Sequence, residues 1–120
     1  MLGHDVLPLA QLVSPAANGE GNILVPGIAV NPPTSGVDFF TTAITTPALV
    51  RALHITISAD DASKFSIILD GEVIALGDLV PDVMAEYKLG VRAGQTLNFE
   101  IDSGATVTHF QVDGFYGALM

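Results

Sequence analysis

Along most of residues 37–120, apolar and polar side chains alternate with a period of two. That is the period of a strand with one buried face. In residues 49–58, Leu53, Ile55 and Ile57 fall on one face, with His54, Thr56 and Ser58 on the other. Residues 64–69 turn Phe65, Ile67 and Leu69 inward, and residues 86–92 do the same for Tyr87, Leu89 and Val91. In residues 96–102, Leu97, Phe99 and Ile101 oppose Thr96, Asn98, Glu100 and Asp102. Further strands are predicted over 37–44, closed by Pro47, over 72–76, and over 106–112, with Phe110 and Val112 on one face. No stretch sustains a helical period; residues 79–85 have room for one helical turn, limited by Pro81. Short strands with one apolar face each predict an all-β, two-layer fold, a Greek-key or jelly-roll-like β-sandwich.

The turns test the faces. Asp70-Gly71 is a two-residue hairpin signal. It predicts Leu69 opposite Glu72, Ile67 opposite Ile74 and Phe65 opposite Leu76. Ser103-Gly104 predicts a second hairpin, with Leu97 opposite Phe110. At Ala93-Gly94 a two-residue loop would set Val91 against Thr96. Either the loop has three residues, or the flanking strands belong to different sheets.

Residues 1–36 have another character. They carry five of the seven prolines, Pro8, Pro15, Pro26, Pro32 and Pro33, yet Leu7, Leu9, Leu12, Val13, Ile23, Leu24, Val25, Ile28 and Val30 are interspersed. Proline disfavours a long helix or a central strand, and the segment is too apolar for a disordered tail. The expected organisation is an extended Pro-rich N-terminal arm over 1–36, lying on a sheet of its own or a neighbouring subunit, and a β-sandwich domain over 37–120.

Composition sharpens this picture. Apolar residues make up 49% of the 120 residues and charged ones only 14%, against about 25% in an ordinary soluble domain. A surface so poor in charge is expected to lie partly against a neighbour. The net charge is −9, and the fixed cations are Arg51, Lys64, Lys88 and Arg92. Nucleic-acid binding and anionic membranes both call for clustered Lys and Arg, so neither partner is expected. The absence of cysteine excludes a disulfide scaffold. No apolar run approaches the ~20 residues of a membrane-spanning helix, and residues 1–5 do not begin a leader pattern. The expectation is a chain made in the cytoplasm and not exported.

The sequence carries no catalytic signature. There is no Gly-x-Ser-x-Gly elbow and no phosphate-binding glycine loop. His54 and His109 fall in strands opposite the apolar stripes, as outward-facing imidazoles. Asp60-Asp61 and Asp78 with Asp82 lack the converging oxygen pattern of a calcium loop and read as turn carboxylates. No enzyme activity, metal or cofactor is expected. The adjacent aromatic pairs Phe39-Phe40 and Phe115-Tyr116 point one ring of each pair away from the core. That ring is exposed, covered by the arm, or buried at an interface. The candidate interface residues are therefore Leu7, Leu9, Leu12 and Val13 of the arm, with Phe39, Phe40, Phe115 and Tyr116.

Three stretches carry a resemblance: Phe65-Ser66-Ile67-Ile68-Leu69-Asp70-Gly71-Glu72, then Tyr87-Lys88-Leu89-Gly90-Val91-Arg92-Ala93-Gly94-Gln95-Thr96-Leu97-Asn98-Phe99, then His109-Phe110-Gln111-Val112-Asp113. Together they resemble small β-sandwich capsid decoration (auxiliary head) proteins of tailed bacteriophages. The resemblance implies a non-enzymatic virion structural protein, a homotrimer that binds the major capsid protein and stabilises the shell from its outer surface. Two alternatives compete: a glycan-binding β-sandwich module, which requires an exposed polar–aromatic cluster, and a filament or adhesion subunit.

Overall fold

The alternating segments become strands whose apolar faces meet between two antiparallel sheets. The computed structural model describes residues 6–12, 23–25, 28–30, 37–39, 43–101 and 106–116. In chain order the strands are β1 (Val6–Leu12), β2 (Ile23–Val25), β3 (Ile28–Val30), β4 (Val37–Asp38), β5 (Ile44–Thr45) and β6 (Ala52–Ala59). They continue with β7 (Ser63–Leu69), β8 (Glu72–Leu79), β9 (Ala85–Gly90), β10 (Thr96–Ile101) and β11 (Val107–Phe115). One sheet has the order β3-β2-β1-β11-β6-β9; the other runs β4-β10-β7-β8, with β5 also on β10. The connections β6–β7, β8–β9, β9–β10 and β10–β11 each cross between sheets, as a jelly-roll-like β-sandwich requires. The described residues contain no helix; the 79–85 segment instead turns at Asp82, with φ +61.

The inner faces supply the core. Leu53, Ile55 and Ile57 of β6 and Phe110 and Val112 of β11 face Phe65 and Ile67 of β7 and Leu97, Phe99 and Ile101 of β10. Each such side chain contributes about 1.5–3 kcal/mol when fully buried. The rings interlock: Phe99 meets Phe110 edge-on at 5.1 Å and stacks on Phe65 at 5.6 Å.

Four expectations are corrected. The first concerns the arm. Its described parts are strands of the six-stranded sheet: β1 pairs with β11 and with β2, and β2 pairs with β3. Leu9 is only 5% exposed and lies in the chain's own core, so it is no interface residue. The prolines do not prevent this. Pro8 sits where the β1–β11 register shifts, and β2 covers only Gln11 and Leu12 of β1. Its missing N–H therefore falls at a bulge, beside an edge that no strand covers among the described residues, where proline is tolerated.

The second correction is Phe39, which is 2% exposed and packs on Phe110 at 4.9 Å rather than against a neighbour. It follows β4, and the single strand expected over 37–44 is two short strands, both on β10. The third is the register of the β7–β8 hairpin. Leu69 does face Glu72, but a bulge between Ile67 and Ile68 then sets Ile67 against Ala75 and Phe65 against Gly77. The fourth is the pairing of Leu97, which faces Leu69 and not Phe110, because β10 and β11 lie in different sheets. Strands β9 and β10 are likewise in different sheets, the second of the two options left open at Ala93-Gly94.

Candidate functional site

Strand alternation that buries Leu53, Ile55 and Ile57 must turn the residues between them outward, and the same holds on β11 and β9. Registers then fix which outward residues are neighbours. One row across the six-stranded sheet is Gln11, Gln111, Thr56, Glu86; the next is Pro8, Asp113, His54, Lys88; the third is Val6, Phe115, Ala52, Gly90. Gly114 confirms the facing: a Cβ there would stand 3.0 Å from Val50 and 3.4 Å from Leu9, both core residues, so Phe115 points to the opposite side. The outcome is a face with polar planar side chains on three adjacent strands, ending in an aromatic ring. Tyr116 follows that ring and is 38% exposed.

Hydrogen bonds link the polar groups. His54 Nε2 donates to Glu86 Oε2 at 2.7 Å, and Gln111 Nε2 donates to both Asp113 oxygens at 3.1 and 3.0 Å. Thr56 Oγ1 and His109 Nε2 share a hydrogen bond of 2.8 Å, and Thr108 Oγ1 donates to Ser58 Oγ at 3.4 Å. The His54 hydrogen bond, followed by the charge of Lys88, holds the Glu86 carboxyl below the usual carboxylate range. The two histidines do not form a pair: His54 faces Asp113, whereas His109 faces Ser58, two outward positions further along β6. Among the described residues, no group of three or more His, Asp or Glu is arranged to hold a metal. Asp60 and Asp61 serve as turn carboxylates, accepting the Thr106 and Ala62 amides at 2.7 and 2.8 Å.

The expected interface residues scatter. Leu9 and Phe39 are in the core, and Leu7 is partly buried against it. Leu12 pairs with Ile23 in the sheet. Phe115 lies on the polar face and Tyr116 follows it. Val13 and Phe40 lie outside the described residues. Gln111, Asp113, Glu86 and Lys88 were not singled out from sequence. The available signal was their shared outward parity with His54 and Thr56, but neighbourhood across strands depends on pairing partners that parity does not reveal.

A second surface is apolar. Strand β8 is an edge of the smaller sheet, and it exposes Val73 (54%) and Leu76 (70%), with Ile74 beside them. Val80, Val83 and Met84 continue this exposed apolar surface into the β8–β9 connection.

Comparison with known proteins is sparse. No protein-family model matches the chain, and no curated protein matches it. Among solved structures, the chain is similar to the CBM36-1 domain of a multidomain xylanase from the hindgut metagenome of Trinervitermes trinervoides. The identity is 15%, over 98% of this chain and 100% of that domain, with a TM-score of 0.49. At that level the likeness says nothing of ligand or activity. Of the resemblance to capsid decoration proteins, the β-sandwich is what the chain's own two-sheet topology supports; nothing in the comparisons indicates a phage protein.

Proposed function

We propose that this chain is a non-enzymatic binding module that holds glycans on the outer face of its six-stranded sheet. One observation carries the reading: Phe115 shares that face with the hydrogen-bonding rows of Gln111, Asp113, His54, Thr56 and Glu86. Sugars present vicinal hydroxyls, each both donor and acceptor, and an apolar ring face. Gln and His side chains offer donors beside the carboxylate acceptors of Asp and Glu, and an aromatic ring supplies a flat apolar platform. The polar groups are already tied to one another, so their orientations are set before a ligand arrives, which lowers the ordering cost of binding.

Affinity electrophoresis through a panel of neutral and acidic polysaccharides tests this. At least one polysaccharide should retard the chain, and Phe115→Ala should weaken that retardation about tenfold, the loss of one stacking contact of ~1–1.5 kcal/mol. A wild-type chain that no polysaccharide retards would overturn the reading.

The β8 edge favours a second reading, a structural subunit of a larger assembly, of which a homotrimeric decoration protein on a capsid is one form. A long apolar edge strand without proline or lysine is a template for pairing with another chain, and residues 72–79 contain neither. Light scattering separates the two. A particle heavier than the 12.5 kDa chain that returns to monomer in Leu76→Lys supports assembly, and a monomer at every concentration speaks against it.

A further inference from the structure

At one end of the sandwich, beside the Phe115 row, a shallow, open cleft of about 330 Å³ is lined by Arg51, Leu69, Gly90, Val91, Arg92 and Gln95. Two of the four fixed cations of a chain with net charge −9 thus line one cleft. Lys64 and Lys88 each stand by a carboxylate, Asp78 at 3.2 Å and Glu86 at 4.0 Å. Neither arginine is paired with an acid among the described residues, and no acidic side chain lines the cleft.

The cleft is also built. Arg51 Nη1 donates to the Ala48 and Val50 carbonyls at 2.9 and 3.2 Å, which anchors one end of its guanidinium. The Arg92 amide donates to Gln95 Oε1 at 2.7 Å, and Gln95 Nε2 reaches Asp70 Oδ2 at 3.4 Å. The Thr46 amide and hydroxyl each donate to the Gln95 carbonyl at 2.8 Å, fixing the loop that carries Arg92. A guanidinium fork matches a carboxylate in shape and charge, and it is worth most where no acid of the protein already fills it.

We infer that this cleft binds a carboxylate, and, resting on the glycan reading above, that the ligand class is acidic glycans whose uronate group sits between Arg51 and Arg92. The geometry joins the two regions. The Arg51 amide donates to the Phe115 carbonyl at 2.8 Å and the Val91 amide to the Arg51 carbonyl at 2.9 Å, so cleft and aromatic platform share a backbone frame. Phe115 shares a row with Ala52 and Gly90, and Gly90 lines the cleft, so a glycan chain stacked on Phe115 and running along that row leads to the arginines. Long-range repulsion from a net charge of −9 disfavours anions elsewhere on the surface, which makes this location selective.

The test is an NMR titration of the whole chain, following the arginine Nε–H and the lysine side-chain signals, with D-galacturonate as probe. D-galactose, which carries a hydroxymethyl group in place of the carboxylate, is the control. Galacturonate is expected to shift Arg51 and Arg92 saturably and galactose to leave them in place. Arg92→Gln should weaken galacturonate binding about tenfold or more while Arg92→Lys restores part of it. Galacturonate that leaves both arginines unmoved, or that shifts Lys64 and Lys88 equally, overturns the inference. The glycan reading is scored separately, by Phe115-dependent retardation across the panel of neutral and acidic polysaccharides. Retardation there with no galacturonate response sinks the carboxylate cleft alone. A galacturonate response without Phe115 dependence sinks the platform alone.

Discussion

Asp70 and Gly71 both hold positive φ, +52° and +81°, at the tip of the β7–β8 hairpin. Nothing stands within 4 Å of a Cβ at Gly71, so a larger residue there meets open space, and the cost of replacing it is conformational. Gly71→Val is expected to destabilise by about 1–3 kcal/mol, because a β-branched residue is strained at positive φ. Chemical denaturation checks this, and an unchanged midpoint would refute the turn assignment. This turn was legible because Asp-Gly carries its own backbone preference. The bulge two residues away was not: Ile67 and Ile68 are identical residues, and nothing local marks the point where the register shifts from Val73 to Ala75. Residue chemistry also sets a pH dependence. The folded chain holds the Glu86 carboxyl below the usual carboxylate range, chiefly through the His54 hydrogen bond and next through Lys88. A depressed folded-state value means that this pair's contribution is complete above the ordinary range and is lost as pH falls through the lowered value. A carbon-detected NMR titration should find Glu86 titrating below an unperturbed glutamate, and His54→Ala should bring it back up. Equal midpoints in both chains would remove His54 as the cause.

At the scale of elements, β1 and the β8/β9 side reveal most. Reading prolines as breakers places residues 1–36 outside the fold, but the cost of a proline depends on whether its N–H position is needed. At Pro8 it is not, and Leu9 can reach the core one residue later. Leu9→Ala is expected to lower stability by about 2–5 kcal/mol, the range for truncating a buried leucine. A loss near zero in a denaturant titration would return β1 to the status of a dispensable arm. On the opposite flank, Tyr87 of β9 lies across Gly77 of β8, bringing its ring within 5.6 Å of Phe65. A Cβ at Gly77 would overlap the Tyr87 hydroxyl and come within 2.9 Å of Cζ. Gly77→Ala should therefore displace the ring and destabilise by about 1–3 kcal/mol, the usual cost of overpacking. Tyrosine fluorescence should report the more exposed ring, and an unaltered spectrum with full stability would show that the ring has room to spare. The candidate face shows what parity reveals and what it withholds. The outward placement of His54, Thr56 and His109 follows from alternation alone. Their union with Gln111, Asp113 and Glu86 follows from β11 pairing with β6 and β6 with β9, and no local signal encodes that order.

For the molecule as a whole, the layered β architecture was readable because six faces with period two leave few other ways to bury them. Sheet membership was not: a short connection between strands can close a hairpin or cross between layers, and only the packing of the completed core selects one. The topology sets β11 between β1 and β6, in the middle of the larger sheet, although among the described strands it comes last in the chain. From Leu12 to Val107 is 95 residues (107 − 12), and from Ala59 it is 48 (107 − 59). At ~5–20 residues per second, β1 emerges from the ribosome roughly 5–20 s before β11, its longer partner. During that interval Leu9 has no Gly114 beneath it, and β6, with Leu53, Ile55 and Ile57, has one open edge. The larger sheet therefore cannot close co-translationally in the order in which it is written. For those seconds the nascent chain offers an unpaired apolar strand edge to whatever binds such edges, a holdase or another nascent copy.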